Sequence, residues 1–316
     1  MTSPLALHCE NLGKVYRVGF WKRKVDALRR LNLEVQPGEI FGFIGPNGAG
    51  KTSTIKILAG LHRATTGEAK VFGLPAGSTA ANALIGFLPE RPYFYAHLTS
   101  RELLRFYGNL FDLRGSMLEK RIDELLDRVQ LRDVEDVQLK AYSKGMLQRA
   151  GLAQALINRP KLILLDEPMS GLDPMGRMLV REIILEQKAQ GATLFFSSHI
   201  LADVEQICDR VALMVGGDLK AEGPIEELLS ANVEVVECVV SNCETLPEGA
   251  TVIGQDGRQL RLRLSAQDVD SFVADLLAKG GQLHEVVPKR QTLEALLVEQ
   301  LGIQSQATPS QQEGTP

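Results

Sequence analysis

The chain has 316 residues, of which 44% are hydrophobic and 23% are charged, and its formal net charge is −4. This length is sufficient for one large domain and a small one, each with a hydrophobic core of its own. The charge balance argues against the strongly basic surface that nucleic-acid-binding proteins present, so no nucleic-acid partner is expected.

The N-terminal stretch has no basic start followed by a sustained apolar run, which argues against a secretion signal. No window approaches the roughly 18 apolar residues of a membrane span. We therefore expect any role at a membrane to depend on a partner protein.

Buried strands and helices alternate through the first 230 residues. Continuous apolar runs predict strands at 39–45, 160–168, 193–198 and 210–217, because strands of a parallel sheet are covered on both faces. Helical spacing predicts helices at 52–61 and 173–191. In the second of these helices Asp173 is the expected N-cap, Pro174 the first helical residue and Gly191 the residue just past the end. This alternation indicates an α/β fold with its functional sites at the carboxyl ends of parallel strands.

Two regions depart from this alternation. Amphipathic helices without a buried strand occupy about 92–160, which predicts a helical subdomain inserted into the sheet domain. Residues 231–303 predict a small α+β domain with a strand at 233–240, a hairpin turning at Asp256 and Gly257, a helix at 268–281, a strand at 282–288 and a last helix at 292–302. The polar tail 304–316 is expected to be disordered.

The stretch "GPNGAGKTS" follows a predicted strand, precedes a predicted helix and matches G-x-x-x-x-G-K-[ST]. Glycines let the backbone N–H groups converge on a phosphate, and the helix dipole adds to that field. Lys51 is expected to reach the β- and γ-phosphates of ATP, and the Thr52 hydroxyl is expected to ligate Mg²⁺. The predicted nucleotide-binding residues of this stretch are Gly45, Pro46, Asn47, Gly48, Ala49, Gly50, Lys51, Thr52 and Ser53.

Two further strands end in groups that suit phosphate chemistry. Asp166 closes the apolar run "LILLD", where a carboxylate can reach the Mg²⁺ ion. Glu167 follows as the expected base for an attacking water, and His199 ends another strand, where it can hydrogen-bond the γ-phosphate and the water. "YSKGMLQR" adds a serine and a glycine ahead of a helical run, which is a second arrangement suited to an anion.

In order, the stretches "GPNGAGKTS", "YSKGMLQR", "LILLDEP", "SGLD" and "SSH" resemble the ATP-binding cassette (ABC) ATPases, the motor subunits of membrane transporters. The resemblance covers roughly 7–229. It implies a P-loop ATPase core in an ATP-binding domain at 1–230. It also implies that two cassettes, identical or different, pack head to tail around two ATP molecules.

The resemblance assigns roles to residues outside the phosphate loop. Ser143 and the backbone N–H of Gly145 would contact the γ-phosphate bound to the opposite subunit, although Lys144 and Met146 replace the commoner glycine and glutamine. Asp173 would lie at the dimer interface. Tyr16 would stack on adenine, or it is an ordinary strand residue.

Glu90 stands where the family commonly has a glutamine near Mg²⁺ and the water. Its expected role is to sense the ion and to couple the two subdomains. The aromatic residues 93–95 follow it directly. They either line a groove for a short helix of a membrane partner or pack between subdomains.

The function that these residues imply is ATP hydrolysis coupled to transport, with an integral membrane permease as partner at the cytoplasmic face of the inner membrane. The motif variants and the small C-terminal domain resemble export-type subunits. The leucines of the last helix either hold the dimer together or pack onto their own sheet. The alternative function is that of a soluble ABC ATPase acting on nucleic acid or ribosomes, which more often has two cassettes in one chain or long basic insertions.

Overall fold

We describe residues 4–19, 23–230, 235–243, 246, 249–257, 259–289 and 293 of a computed structural model. The strands are β1 (Leu7–Val18), β2 (Arg23–Val35), β3 (Ile40–Ile44), β4 (Thr66–Val71), β5 (Leu74–Pro75), β6 (Ile85–Leu88), β7 (Leu162–Asp166), β8 (Thr193–Ser198), β9 (Arg210–Val215), β10 (Asp218–Pro224), β11 (Val235–Ser241), β12 (Thr251–Asp256), β13 (Gln259–Ser265) and β14 (Gln282–Lys289). The helices are α1 (Lys51–Leu58), α2 (Thr79–Asn82), α3 (Ser100–Leu110), α4 (Gly115–Arg128), α5 (Lys144–Ala155), α6 (Pro174–Ala189), α7 (Leu201–Ile207), α8 (Ile225–Ser230) and α9 (Val269–Ala278).

The central sheet has the strand order β10-β9-β3-β8-β7-β6 in the described residues. All neighbours pair in parallel except β10, which forms an antiparallel edge with β9. Strands β3, β7 and β8 are buried along their whole length, as their continuous apolar sequences predict. Phe195 of β8 stacks on Phe41 of β3 with ring centroids 5.7 Å apart. The predicted parallel sheet is therefore confirmed.

A second sheet, with the order β2-β1-β4-β5, is antiparallel. Neither this sheet nor strand β6 was predicted. Helix α1 is shorter than expected, since it ends at Leu58 and Gly60 takes a positive φ of 73°. Leu61, the last residue of the predicted helix, is 59% exposed.

Residues 92–160 contain α3, α4 and α5 and no strand element, and the structure describes every one of them. The capping predicted for the helix at 173–191 is confirmed. Oδ1 of Asp173 accepts a hydrogen bond from the Gly176 backbone N–H, Pro174 begins α6 and Gly191 has a φ of 89°. No helix in the described part of the chain is both long and apolar enough to cross a membrane.

The chain divides into two compact units, Met1–Pro224 and Ile225–Pro316. In the second unit the strand order is β12-β13-β11-β14, and α9 packs Phe272 and Leu276 onto one face of this sheet. The predicted hairpin is present, with Asp256 paired to Gln259. The predicted helix at 292–302, apart from Leu293, and the tail 304–316 lie outside the described residues. The division predicted after residue 230 stays a prediction.

Candidate active site

The phosphate loop joins β3 to α1, and its glycines are required by its shape. Gly45 has a φ of 151°, and a Cβ atom there would lie 2.2 Å from the Met214 carbonyl oxygen. Gly50, the residue before α1, has a φ of 102°, and a Cβ atom would lie 2.4 Å from the Ala27 carbonyl oxygen. Only glycine fits both positions, since other residues meet a steric penalty in this conformation as well as the clash.

The side chain of Lys51 folds back over this loop and is almost fully buried. Its Nζ donates to the carbonyl oxygens of Gly45 (2.6 Å) and Pro46 (3.2 Å) and lies 3.6 Å from Oε1 of Glu167. Burial lowers the pKa of this ammonium group, while the charges of Glu167 and Asp166 act in the opposite direction. The cation is therefore held at the loop in a polar setting that suits a polyphosphate.

Asp166 ends β7 with only 1% of its surface exposed. Its Oδ1 accepts hydrogen bonds from Thr52 Oγ1 (3.1 Å) and Ser197 Oγ (2.7 Å), whereas its buried Oδ2 has no partner. Burial raises the pKa of this carboxyl group. An orphaned carboxylate oxygen beside a hydroxyl is the donor set that Mg²⁺ takes from a protein when phosphates and waters supply the other ligands. The residues present therefore fit a magnesium ion.

Glu167 follows in the left-handed region, with a φ of 51°. Its Oε2 lies 2.7 Å from Nδ1 of His199 and also accepts a 3.4 Å hydrogen bond from the His199 backbone N–H. The tautomer with the ring proton on Nδ1 can donate this hydrogen bond to the carboxylate. The structure thus brings together the predicted base and the predicted histidine from the ends of two neighbouring strands.

Lys51, Glu167 and His199 line a cavity of about 450 Å³ at the carboxyl edge of the central sheet, whereas the buried Asp166 is not among its lining residues. The Glu90 side chain also lines the cavity, is 47% exposed and lies 4.0 Å from Arg91 Nε. Tyr16 is not among the lining residues. Its hydroxyl donates to Ser53 Oγ (3.2 Å) and lies 2.9 Å from His62 Nδ1, so its stacking on adenine stays a prediction. The lining residues are Val25, Asp26, Ala27, Asn47, Gly48, Ala49, Gly50, Lys51, Thr52, Ser53, Glu90, Glu167, Ser170 and His199.

Three other predicted site residues, Ser143, Gly145 and Asp173, line a different cavity, of about 440 Å³. Ser143 caps α5 by accepting a hydrogen bond from the Met146 backbone N–H at 3.2 Å, and Gly145 and Asp173 lie on the same cavity wall. Lys144 and Arg149 add positive charge there. In one copy of the chain, the phosphate loop and the Ser143 segment therefore face separate cavities.

Sequence reasoning missed three contributions to the site, one of which is Ser170, a lining residue of the first cavity that belongs to the quoted stretch "SGLD". Residues 25–27 of β2 form one wall of the first cavity, and nothing in their sequence signals a nucleotide. Ser197 was overlooked although it belongs to the quoted stretch "SSH". Its position two residues before His199, at the end of a buried strand, was the available signal.

Comparison with known proteins identifies the family. The family model described as ABC transporter matches residues 28–170. An uncharacterised ABC transporter ATP-binding protein of Nostoc sp. is 43% identical over 303 residues, which are 95% of this chain and 90% of that relative. The chain belongs to the ABC transporter ATP-binding family. The predicted resemblance to ABC ATPases is confirmed.

This ABC ATP-binding protein is also similar to a transport protein and to a cassette of known structure. The bacitracin transport ATP-binding protein of Bacillus licheniformis is 40% identical over 219 residues, covering 68% of this chain and 71% of the relative. An ATP-binding cassette solved as a dimer in a post-hydrolysis state, bound to ADP and Pi, superposes with a TM-score of 0.62 at 24% identity, covering 69% of this chain and 98% of that chain. The predicted P-loop α/β fold class is confirmed.

Proposed function

We propose that this ABC ATP-binding protein hydrolyses ATP as one half of a dimer and drives export through a separate membrane permease. The observation that carries the proposal is the separation of two anion-binding arrangements into two cavities of one chain. The Lys51 cavity can hold a nucleotide, but Ser143 and Gly145 lie in the other cavity. A second cassette, packed head to tail, would bring its Ser143 segment to the phosphates held by the first.

The predicted site residues in and next to the first cavity each have a role in this reaction. Lys51 would bind the β- and γ-phosphates, and Thr52 and Asp166 would hold Mg²⁺. Bound there, the ion would neutralise charge that develops on the phosphates. Glu167 would accept the proton of the attacking water, and His199 would fix the position of that carboxylate through Nδ1. Glu90 lies at the cavity wall, where it would contribute through water to the ion's surroundings.

An apolar cavity between the sheet and the helical subdomain suits a permease. It has a volume of about 380 Å³, and Tyr93 and Phe94 line it together with Leu61 and Leu110. Tyr93 is 89% exposed, and an exposed aromatic beside an apolar cavity is typical of a surface that receives another protein. We infer that a short helix of the permease docks here, at the cytoplasmic face of the membrane. The bacitracin transport relative supports export as the direction.

Mixing two inactive variants tests the shared site. Lys51→Ala removes the phosphate-binding cation, and Ser143→Arg places a bulky side chain in the second cavity. A mixed dimer has one site with both defects and one with neither, so ATPase activity should partly recover on mixing. Absence of recovery, with mixed dimers shown to form, would count against a site completed by the second copy.

A further inference from the structure

Ser197 lies at the centre of the candidate active site without lining its cavity. It is on β8, between the strand that leads into the phosphate loop and the strand that ends at the acidic pair. In the parallel register Ser197 is level with Phe43 of β3 and with Asp166 of β7. The residue is completely buried, so its hydroxyl has no access to solvent and must find its hydrogen bonds inside the protein.

The Ser197 hydroxyl joins the two acidic residues. Its Oγ donates to Oδ1 of Asp166 at 2.7 Å and accepts a hydrogen bond from the backbone N–H of Glu167 at 3.0 Å. One bond orients the Asp166 carboxylate, and the other restrains the backbone of Glu167 in its left-handed conformation. A non-glycine residue in that conformation is sterically strained and therefore needs such restraint.

The hydrogen bond from Ser197 to Oδ1 of Asp166 also affects the other carboxylate oxygen, Oδ2. Thr52 also donates to Oδ1, so both hydroxyl groups occupy one oxygen and leave the buried Oδ2 without a partner. We propose that Ser197 is a positioning residue that aims Asp166 Oδ2 at Mg²⁺ and sets Glu167 for its reaction. This inference rests on the proposed function, because it concerns the same nucleotide site.

The other serine of this stretch does something different. Ser198 Oγ accepts from the backbone N–H of Ile200 at 2.9 Å and donates to its carbonyl oxygen at 3.2 Å, which closes the turn that carries His199. Of the two adjacent serines, Ser197 bonds the acidic pair directly.

Thr193 offers a matched control at the opposite end of β8. Like Ser197 it is buried, and its hydroxyl accepts a hydrogen bond from a backbone N–H, that of Gly38, at 2.9 Å. Thr193→Val and Ser197→Ala each leave one backbone N–H without its partner, and Ser197→Ala also removes a hydrogen bond to a carboxylate. Thr193→Val therefore controls for the loss of a buried hydroxyl that bonds the backbone of the same strand. Only Ser197→Ala should reduce the effect of Mg²⁺ on nucleotide binding.

The experiment measures binding of a fluorescent, non-hydrolysable ATP analogue to the full chain in excess Mg²⁺ and in EDTA. For wild type and Thr193→Val, Mg²⁺ should tighten binding to the same extent. Ser197→Ala should reduce the affinity in Mg²⁺ by on the order of tenfold or more, the usual effect of losing a group that orients a metal ligand, and leave the affinity in EDTA unchanged. Ser197→Thr keeps the hydroxyl and should restore the Mg²⁺ effect.

Thermal melting of each variant checks folding, and Ser197→Cys takes the place of Ser197→Ala if that variant does not fold. If folded Ser197→Ala or Ser197→Cys gains as much affinity from Mg²⁺ as wild type does, the inference about Ser197 is wrong. An equal loss of affinity in Thr193→Val would also overturn it. Neither result would contradict the proposed function. A wild-type protein that neither binds nor hydrolyses MgATP would overturn the proposed function.

Discussion

The buried charge of Asp166 destabilises the nucleotide-free protein, and the variant Asp166→Asn measures by how much. The carboxylate is buried, and Oδ2 has no hydrogen-bond partner. A buried polar atom without a partner costs about 1–3 kcal/mol, and a charged one costs more. The asparagine keeps an oxygen for Thr52 and Ser197 and removes the charge, but its own NH₂ group then lacks an acceptor. We therefore expect a net gain in the free energy of unfolding of about 1–2 kcal/mol.

The gain should depend on pH in a defined direction. Burial raises the pKa of Asp166, hydrogen bonds from Ser197 and Thr52 oppose that rise, and the charges of Glu167 and Glu90 add to it. The folded state therefore holds this proton more tightly than the unfolded chain. The stability that the carboxyl contributes is fully present below its ordinary pKa of 3.8 and is lost as the pH rises through the raised value. The advantage of Asp166→Asn should be greatest near neutral pH and shrink toward acid pH.

Thermal melting of the nucleotide-free proteins is the assay. A gain of 1–2 kcal/mol raises the melting temperature of a unit of this size by about 2–8 °C. MgATP should raise the melting temperature of Asp166→Asn less than that of wild type, because the variant lacks the charge that holds the ion. Asp203→Asn is the control, since it removes another buried carboxylate with an unpartnered oxygen and should keep the MgATP response. If Asp166→Asn melts below wild type at every pH, the buried charge is not the cost that we infer.

Two other variants test the groups around Asp166. Glu167→Gln keeps the size of the proposed base without its charge, so nucleotide binding should persist, turnover should fall by about 10²–10⁴-fold, and ATP should trap a dimer on size-exclusion chromatography; normal hydrolysis would contradict the assigned base. Lys51→Ala should lose nucleotide binding in equilibrium dialysis, and unchanged affinity would mean that the phosphate loop is wrongly assigned. Burial lowers the pKa of Lys51, and the charge of Glu167 acts in the opposite direction. The affinity of wild type for nucleotide should therefore fall at alkaline pH, as Lys51 loses its proton. In Glu167→Gln this fall should occur at a lower pH.

Much of the candidate nucleotide site could be proposed from the sequence because its parts are local. The glycines at 45 and 50, Lys51 and Thr52 belong to one loop whose geometry requires them in that order. Asp166, Glu167 and His199 each end a continuous apolar run, and the ends of neighbouring parallel strands meet at one edge of a sheet. Capping of α6 by Asp173 is likewise decided within four residues.

Other features depend on residues that are far apart in the chain. Strands β1, β2, β4 and β5 form a sheet through pairings that span up to about sixty residues, and their partly exposed sequences carry no continuous apolar run. The helix after the phosphate loop was predicted too long because apolar spacing alone extended it to Leu61, whereas Gly60 ends it.

The sequence by itself determined the family, the phosphate loop and the identities of the acidic pair, because short motifs require particular residue types at fixed spacing. Only the tertiary structure decided that Ser197 bonds both acids, that Asp166 Oδ2 is left without a partner, and that Ser143 faces a different cavity from Lys51. Hydrogen bonds and burial depend on which strands become neighbours. That neighbourhood is set when the whole sheet assembles, and no local pattern encodes it.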